Sequence, residues 1–415
     1  MSVLDDIISH QKKYNERLYL VASENSPSIV SRLAFLTDIF SRYYFPLDKY
    51  RHWAFPGNEF IERIYQRCEE LLREATGAKY VSIKPISGVS AMTIALAALA
   101  KNGDTIATIS PQNGGHTITS DIARRLGLRV VHLPYQQESF TIDTAAISDF
   151  LEREKASLIY LDQCHILFPY NLRELRARVP DNVKIYYDGS HVMGLIFGGV
   201  FQEPLNEGAS FQGGSTHKTI PGPHKAFIAT NDEDNFLRVE KCSNIFVSHD
   251  HGADVAALAI VLEEMRGRWQ TYAGQVINNA QFLASALDEK GFTVIAKNLG
   301  FTKSHQIWLD IAPQMDPFKA AMTLADCNII VNTISAPSVA GRLALRIGVQ
   351  EATYLGATEK TMQSIAEIFE KIFISHQYNE RKVREEVAEI KNQLIPQLSK
   401  DKLDEIFMLL RESLF

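Results

Sequence analysis

Cysteine is scarce in this chain: four residues in 415, Cys68, Cys164, Cys242 and Cys327, widely scattered and with no CxxC pair. That spacing excludes a disulfide scaffold and a cysteine-built zinc site, and it fits a reducing, cytoplasmic setting. Positive charge is not in excess either. Lys and Arg number 43 against 49 Asp and Glu, a net charge of −6, which gives no electrostatic footprint for a nucleic acid. No apolar run approaches the roughly 18 residues of a membrane span. The opening MSVLDDIISHQKKYNERLYLV alternates charged and apolar residues and lacks the apolar core of a signal peptide. Internal repeats, low-complexity tracts and obvious flexible linkers are also missing. The remaining composition, 46% hydrophobic and 22% charged, is that of a soluble globular protein large enough to bury a core without staples.

Periodicity supplies the order of elements. Residues 58–76, NEFIERIYQRCEELLREAT, place Ile61, Ile64, Cys68, Leu71, Leu72 and Ala75 at helical spacing, with Gly77 as C-cap. Then short β-type runs, DTIATIS (104–110), LRVVHLP (128–134), SLIYLDQ (157–163) and VKIYYDG (183–189), alternate with helical stretches such as SAMTIALAALAK, SDIARRLG and TAAISDFLEREK. Apolar strands alternating with helices predict an α/β fold with a mainly parallel sheet covered on both faces. ASFQGGS and KAFIAT add two strand candidates. After about residue 253 come a long helical stretch, the runs FTVIAK, HQIWLDIA, IIVNTI and LALRIGV, and a charged helical end. The expected division is an arm over 1–45, a large α/β domain over 46–260 and a smaller α+β domain over 261–415.

Four local features carry chemistry. Ser87-Gly88-Val89-Ser90 follows the strand-like VSIKP and opens an Ala-rich helix; it reads either as a plain N-cap or as a phosphate cradle of free N–H groups at the positive helix end. Asp188-Gly189-Ser190-His191 ends the run KIYYDG, where open α/β sheets gather ligands, although an Asp there also serves as a cap. In Gly213-Gly214-Ser215-Thr216-His217-Lys218-Thr219 a lysine sits among small and hydroxyl residues beside a histidine. Most lone lysines are solvated, but this setting suits one that loses its proton and acts as a Schiff-base nucleophile. Arg346, inside the apolar LALRIGV, needs an anion, either a structural carboxylate or that of a substrate. A phosphate cradle, an Asp for a pyridinium nitrogen, a lysine for an aldehyde and an arginine for an amino acid's carboxylate are together the parts that pyridoxal 5'-phosphate requires.

At these residues the chain resembles the serine hydroxymethyltransferases, pyridoxal-phosphate enzymes of the aspartate-aminotransferase-like fold type I. LVASENSPS (20–28), GGSTHKTIPGP (213–223), DGSHVMGLI (188–196), Gly114-Gly115-His116 and LRIGV are similar to the family's motifs. The resemblance implies a large domain with a mainly parallel seven-stranded sheet and a smaller C-terminal α+β domain. It implies that Lys218 forms the Schiff base, Asp188 pairs with the pyridinium, His116 stacks on the ring, and His191 contacts the phenolic oxygen or the substrate. Ser87, Gly88 and Val89, with Ser215 and His217 of the lysine loop, would hold the cofactor, and Ser23 and Arg346 the substrate carboxylate. Tyr44 and Phe55 would border the substrate. The family builds its sites between two subunits, so a homodimer is expected, with Gly252 completing the neighbour's phosphate site.

The departures bear on activity. The family has a glutamate before its first long helix, the proton shuttle of folate-dependent transfer. Here Tyr43–Gly57 contains none, and Phe55 stands where a tyrosine is expected, with Asp48 as a shorter substitute. His224 replaces an arginine, and Asp162-Gln163-Cys164-His165 replaces a turn of small residues. In the rebuilt Phe246–Ala253 segment, His249, Asp250 and His251, followed by Asp254, have ligand-type spacing; a dimer-interface loop is the preferred reading, and no metal is expected. The implied enzyme cleaves the Cα–Cβ bond of a β-hydroxy amino acid without folate. It leaves a glycine quinonoid that is protonated (an aldolase) or attacks a second aldehyde (a transaldolase), with proton transfers at His191 or a tyrosine of 43–50. The alternatives are folate-dependent hydroxymethyl transfer, and chemistry at the Cα–H bond or decarboxylation.

Overall fold

A computed structural model describes residues 2–45, 55–335, 343–375, 378–394 and 400–414. The chain opens with helix α1 (Val3–Glu16), capped by Ser2, whose hydroxyl accepts the Asp5 N–H while the Asp5 carboxylate returns to the Ser2 N–H. Leu18–Tyr19 then pairs in parallel with Ile329–Ile330. Helix α2 (Glu59–Thr76) has the predicted apolar stripe, burying Ile61, Tyr65, Cys68, Leu71 and Leu72, and ends on Gly77 at φ +67°, the left-handed turn that glycine adopts without penalty.

The large sheet has seven strands: β1 (Tyr80–Ser82), β2 (Thr105–Thr108), β3 (Arg129–His132), β4 (Ala156–Leu161), β5 (Lys184–Asp188), β6 (Phe211–Ser215) and β7 (Ala226–Thr230). Their spatial order is β1-β7-β6-β5-β4-β2-β3. All neighbours run parallel except β7, which is antiparallel to both β1 and β6. The two faces feed separate cores. Ile159, Leu161, Ile185 and Tyr187 pack into one, while Leu158, Tyr160 and Tyr186 pack into the other. This is the period-two alternation of a sheet buried on both sides, which is why the strands read as continuous apolar runs.

Helix α3 (Gly88–Leu99) and helix α4 (Thr119–Arg125) cover one face. Helices α5 (Gly252–Met265) and α6 (Trp269–Glu289) cover the other with α2. A second sheet, antiparallel throughout, follows with β8 (Thr293–Val294), β9 (Gln306–Asp310), β10 (Asn332–Ser335) and β11 (Leu343–Gly348) in the order β8-β9-β11-β10. Central β11 therefore has neighbours on both sides, and Arg346 pairs across to Trp308 and Asn332. The segment after Tyr19 lies against this strand's end. Gly348 N–H donates to Leu20 O at 2.8 Å, and the Gln350 amide donates to Val21 O at 2.7 Å and Glu24 O at 2.6 Å. Among the described residues no helix is long and apolar enough to cross a membrane.

Candidate active site

The carboxyl ends of β4, β5 and β6 and the N-terminus of α3 enclose a cavity of about 220 Å³, the place where open α/β sheets take ligands. Ser87, Gly88, Val89, His116, Asp188, His191, Ser215, His217 and Lys218, nine of the residues singled out in the sequence, all line it.

One wall is built for an anion. Ser87 caps α3: its hydroxyl accepts the Ser90 N–H at 3.1 Å, and Ser90 Oγ accepts the Ser87 N–H at 3.0 Å. The N–H groups of Gly88 and Val89 belong to the first turn, which has no acceptors within the helix. The hydroxyl of Ser215 and Nδ1 of His217 are buried without hydrogen-bond partners among the described residues. A Cβ at Gly88 would come within 3.3 Å of Ser215 Cβ, so a side chain there would close the cradle. Unpaired donors at a positive helix end fit a phosphate.

Asp188 receives three hydrogen bonds: from the Tyr160 hydroxyl on Oδ2 at 3.0 Å, and from Ser190 N–H at 3.0 Å and Ser190 Oγ at 2.5 Å on Oδ1. Such a set fixes the orientation of the carboxyl group, which can then accept an N–H from a ring nitrogen. Ser190 Oγ also accepts the Ser215 N–H at 2.9 Å, tying β5 to β6. Gly214 permits this approach. Its φ is +133°, and a Cβ would meet Ser190 Oγ at 2.4 Å and Asp188 Oδ1 at 2.8 Å.

Burial lowers the Lys218 amine from its usual range; Asp188 pulls it back up and Arg346 adds to the depression. The ammonium thus loses its proton more readily than a solvated lysine does, as a nucleophile for an aldehyde requires. The backbone around it is pinned, with Lys218 O accepting the Asn25 amide at 2.7 Å and Thr219 O accepting the Tyr272 hydroxyl at 2.9 Å.

The histidines are held neutral. Burial, chiefly, lowers His116, whose Nδ1 accepts the Ile118 N–H at 3.3 Å. Its segment is fixed by Gly114 O, which accepts the N–H groups of Cys164 at 2.8 Å and His165 at 3.1 Å. His191 is pushed well below its ordinary value by burial, then by Lys218 and Arg346. Gln306 defines its tautomer. The Gln306 oxygen accepts the Trp308 indole N–H at 3.1 Å, and its nitrogen donates to Cys164 O at 3.0 Å and lies 3.3 Å from His191 Nδ1. Nδ1 is therefore the acceptor, and Nε2 carries the hydrogen.

Arg346 is 6% exposed, yet its contacts are neutral: Nε donates to Asn332 Oδ1 at 3.2 Å, and a terminal nitrogen lies 3.5 Å from Ser23 Oγ. Among the described residues it has no carboxylate in ion-pair distance, and burial lowers its pKa. A buried guanidinium with its charge uncompensated is a receptor for an anion.

Five expected residues do not line the cavity: Ser23 and Arg346, which lie together as above, and three others. Tyr44 is half-buried with its ring 4.5 Å from that of Tyr65; Phe55 is exposed and packs on Tyr43 at 5.5 Å; Gly252 opens α5 beneath Ile39. Asp48, Tyr50 and Trp53 lie outside the described residues. Among those described, no group of three His, Cys, Asp or Glu is arranged to hold a metal. In the 246–254 segment His249 Nε2 lies 3.2 Å from Arg42 O, and Asp250 accepts the Tyr65 hydroxyl at 2.8 Å. His224 stacks on His217 at 4.1 Å. Cys164 borders the cavity, but burial raises its thiol and its Sγ donates to Gly114 O at 3.3 Å, so it is a packed thiol and not a thiolate. The site residues that sequence reasoning passed over are Tyr160, Ser190, Asn25 and Gln306.

Comparison with known proteins agrees with this chemistry. The family model described as serine hydroxymethyltransferase matches residues 2–369. Serine hydroxymethyltransferase of Thermoplasma acidophilum is 34% identical over 397 residues, covering 93% of this chain and 92% of the relative. That of Methanocaldococcus jannaschii is 36% identical over 402 residues, covering 93% and 92%. The crystal structure of L-threonine transaldolase from Pseudomonas fluorescens in the internal aldimine state superposes with a TM-score of 0.90 at 27% identity, covering 98% of this chain and 96% of that one. The unpaired phosphate donors, the triply bonded carboxylate and the lysine fit the cofactor of these proteins. The chain belongs to the serine hydroxymethyltransferase family and is a pyridoxal-phosphate-dependent enzyme of fold type I.

Proposed function

We propose that this enzyme makes and breaks the Cα–Cβ bond of a β-hydroxy amino acid without folate, as an aldolase or transaldolase. The observation that carries it is the set of acids at the cavity. Only Asp162 and Asp188 line it among the described residues, and Tyr43–Gly57 holds no glutamate to serve folate-dependent transfer. The transaldolase name of the structural neighbour supports the same reading.

Arg346 and Ser23 take the amino acid's carboxylate, which fixes how its Cα substituents point. Lys218 would hold the cofactor through its amine. Ser87, Gly88, Val89, Ser215 and His217 would hold its phosphate, Asp188 its ring nitrogen, and His116 would pack against its ring. When bound, pyridoxal phosphate supplies the electron sink for the pair left on Cα. His191, neutral and with its hydrogen on Nε2, donates a hydrogen bond to an oxygen of cofactor or substrate. Its burial keeps water from competing for that oxygen. The expected partners are a small amino acid, an aldehyde acceptor and a second copy of the chain; the exposed Leu36 and Phe40, on segments packed against α5, support pairing on the side of Gly252. A reducing, cytoplasmic setting fits the four free thiols.

A second reading, folate-dependent transfer between serine and glycine, is favoured by the names of the relatives at 34% and 36% identity. Glycine release from L-serine and L-threonine, with and without tetrahydrofolate, separates the two. Release from threonine without folate supports the proposal; serine cleavage that depends on folate overturns it.

A further inference from the structure

The cavity contains a second carboxylic acid with no role so far. Asp162 follows Leu161, the last residue of β4, and Leu161 pairs with Tyr187 in the parallel register. Asp162 thus comes level with Asp188 at the end of the next strand, and both line the cavity.

Their surroundings differ. Asp188 receives three hydrogen bonds within 3.0 Å, whereas Asp162 Oδ1 accepts the Ile109 N–H at 3.3 Å, with the Thr119 hydroxyl nearby. Asp162 is 4% exposed, and its Oδ2 is buried. An ionised Asp162 would hold a second negative charge beside Asp188 with only weak donors, the Ile109 N–H and the Thr119 hydroxyl, to stabilise it. A protonated Asp162 carries one O–H on Oδ2, which has no hydrogen-bond partner among the described residues.

The groups facing Asp162 are the Ile109 N–H beyond β2, the Thr119 hydroxyl of α4, Asp188 of β5, Tyr160 of its own strand, and Cys164 and Tyr170 of the loop that follows. Thr119 Oγ1 is also 3.4 Å from Met92 Sδ. Burial first, then Asp188, push the carboxyl up to about 7, against the opposing pull of Thr119 and Ile109.

We propose that Asp162 keeps its proton in the working enzyme and donates it, from Oδ2, as a hydrogen bond to an acceptor atom of the ligand beside Asp188. The two acids then divide the work: Asp188 is the acceptor for a cationic N–H, and Asp162 is the neutral donor. Two like groups given different roles by their surroundings are a recurrent way of setting acid and base roles. This assignment rests on the reading of the cavity as the cofactor site.

The test uses holoenzyme of the wild type, Asp162→Asn and Asp162→Ser, followed by the absorption spectrum of bound pyridoxal phosphate against pH and by kcat/KM against pH. Asparagine keeps the size and a donor but does not ionise; serine is the smaller backup if the asparagine variant folds poorly. The wild type is expected to show, in both readouts, an inflection where Asp162 loses its proton, raised above the ordinary carboxylate range. Both variants are expected to bind the cofactor and lose that inflection, the serine variant with activity lower by about tenfold, the size of one hydrogen bond. An inflection that persists unmoved in either loaded variant overturns the role of Asp162 and leaves the site reading intact. A wild type that takes up no pyridoxal phosphate overturns both.

Discussion

Tyr160 donates its hydroxyl hydrogen to Asp188 Oδ2 at 3.0 Å, across two neighbouring parallel strands and from a position fully buried in the sheet. The tyrosine ring is stacked on Tyr186 at 4.7 Å, so the bond comes from a rigid support. Tyr160→Phe removes the donor and leaves the ring. A hydrogen bond to a charged group contributes about 1.5–3 kcal/mol, so the cofactor's dissociation constant is predicted to rise by roughly 10-fold or more, read by absorbance titration of the apoenzyme. No change would mean that the Ser190 bonds suffice.

Gly214→Ala tests the geometry behind the same carboxylate. The new methyl group would stand 2.4 Å from Ser190 Oγ in a backbone conformation that L side chains rarely adopt. Cofactor loading is predicted to fall strongly while helix content, followed by circular dichroism, changes little.

Arg346→Lys tests carboxylate recognition. Lysine keeps the charge but loses the planar fork that reaches Asn332 and Ser23. The amino acid's kcat/KM is predicted to fall by about 100-fold, equivalent to about 3 kcal/mol, with the cofactor spectrum unchanged. Equal loss of cofactor and substrate binding would show that Arg346 only supports the fold.

Much of this site was legible because its chemistry sits in short local runs. Ser87 to Val89 at a helix start, Asp188 at a strand end and Lys218 in a small-residue loop each announce themselves along the chain, and the cavity collects them. Tyr160 was not legible. In SLIYLDQ it reads as one more apolar core residue, and only the β4–β5 register reveals which acid its hydroxyl meets. Ser190 left a signal, since a serine two residues after an aspartate forms a local turn; both of its contacts with Asp188 arise that way. Gln306 and Asn25 act from 115 and 193 residues away, on His191 and Lys218, and no periodicity encodes such distances. Tyr44, Phe55 and Gly252 were drawn from resemblance, and in a single chain they stand outside the cavity.

Acid should destabilise the fold through its buried histidines. His305, fully buried, donates from Nε2 to Ala22 O at 2.9 Å, and burial, chiefly, pushes it down to about 3 against the ordinary 6.5. Below 6.5 the unfolded chain takes up a proton that the folded one refuses. Its contribution is thus complete above 6.5 and is lost progressively as pH falls toward 3, at up to about 1.4 kcal/mol per pH unit. His305→Gln keeps a donor without the titration. Between pH 7 and pH 5 the wild type is predicted to lose about 2 kcal/mol of stability relative to this variant, measured by denaturant melts. Parallel losses in the two proteins would contradict the assignment.

The central claim, folate-independent chemistry at Cα–Cβ, is tested most directly by incubating the loaded enzyme with L-threonine and an aromatic aldehyde in the absence of tetrahydrofolate. The products are then identified by mass spectrometry. Acetaldehyde is expected, together with glycine or with a new β-hydroxy amino acid built from glycine's carbons and the added aldehyde. A new amino acid only when tetrahydrofolate is supplied, or a ketoacid or carbon dioxide in its place, would contradict it.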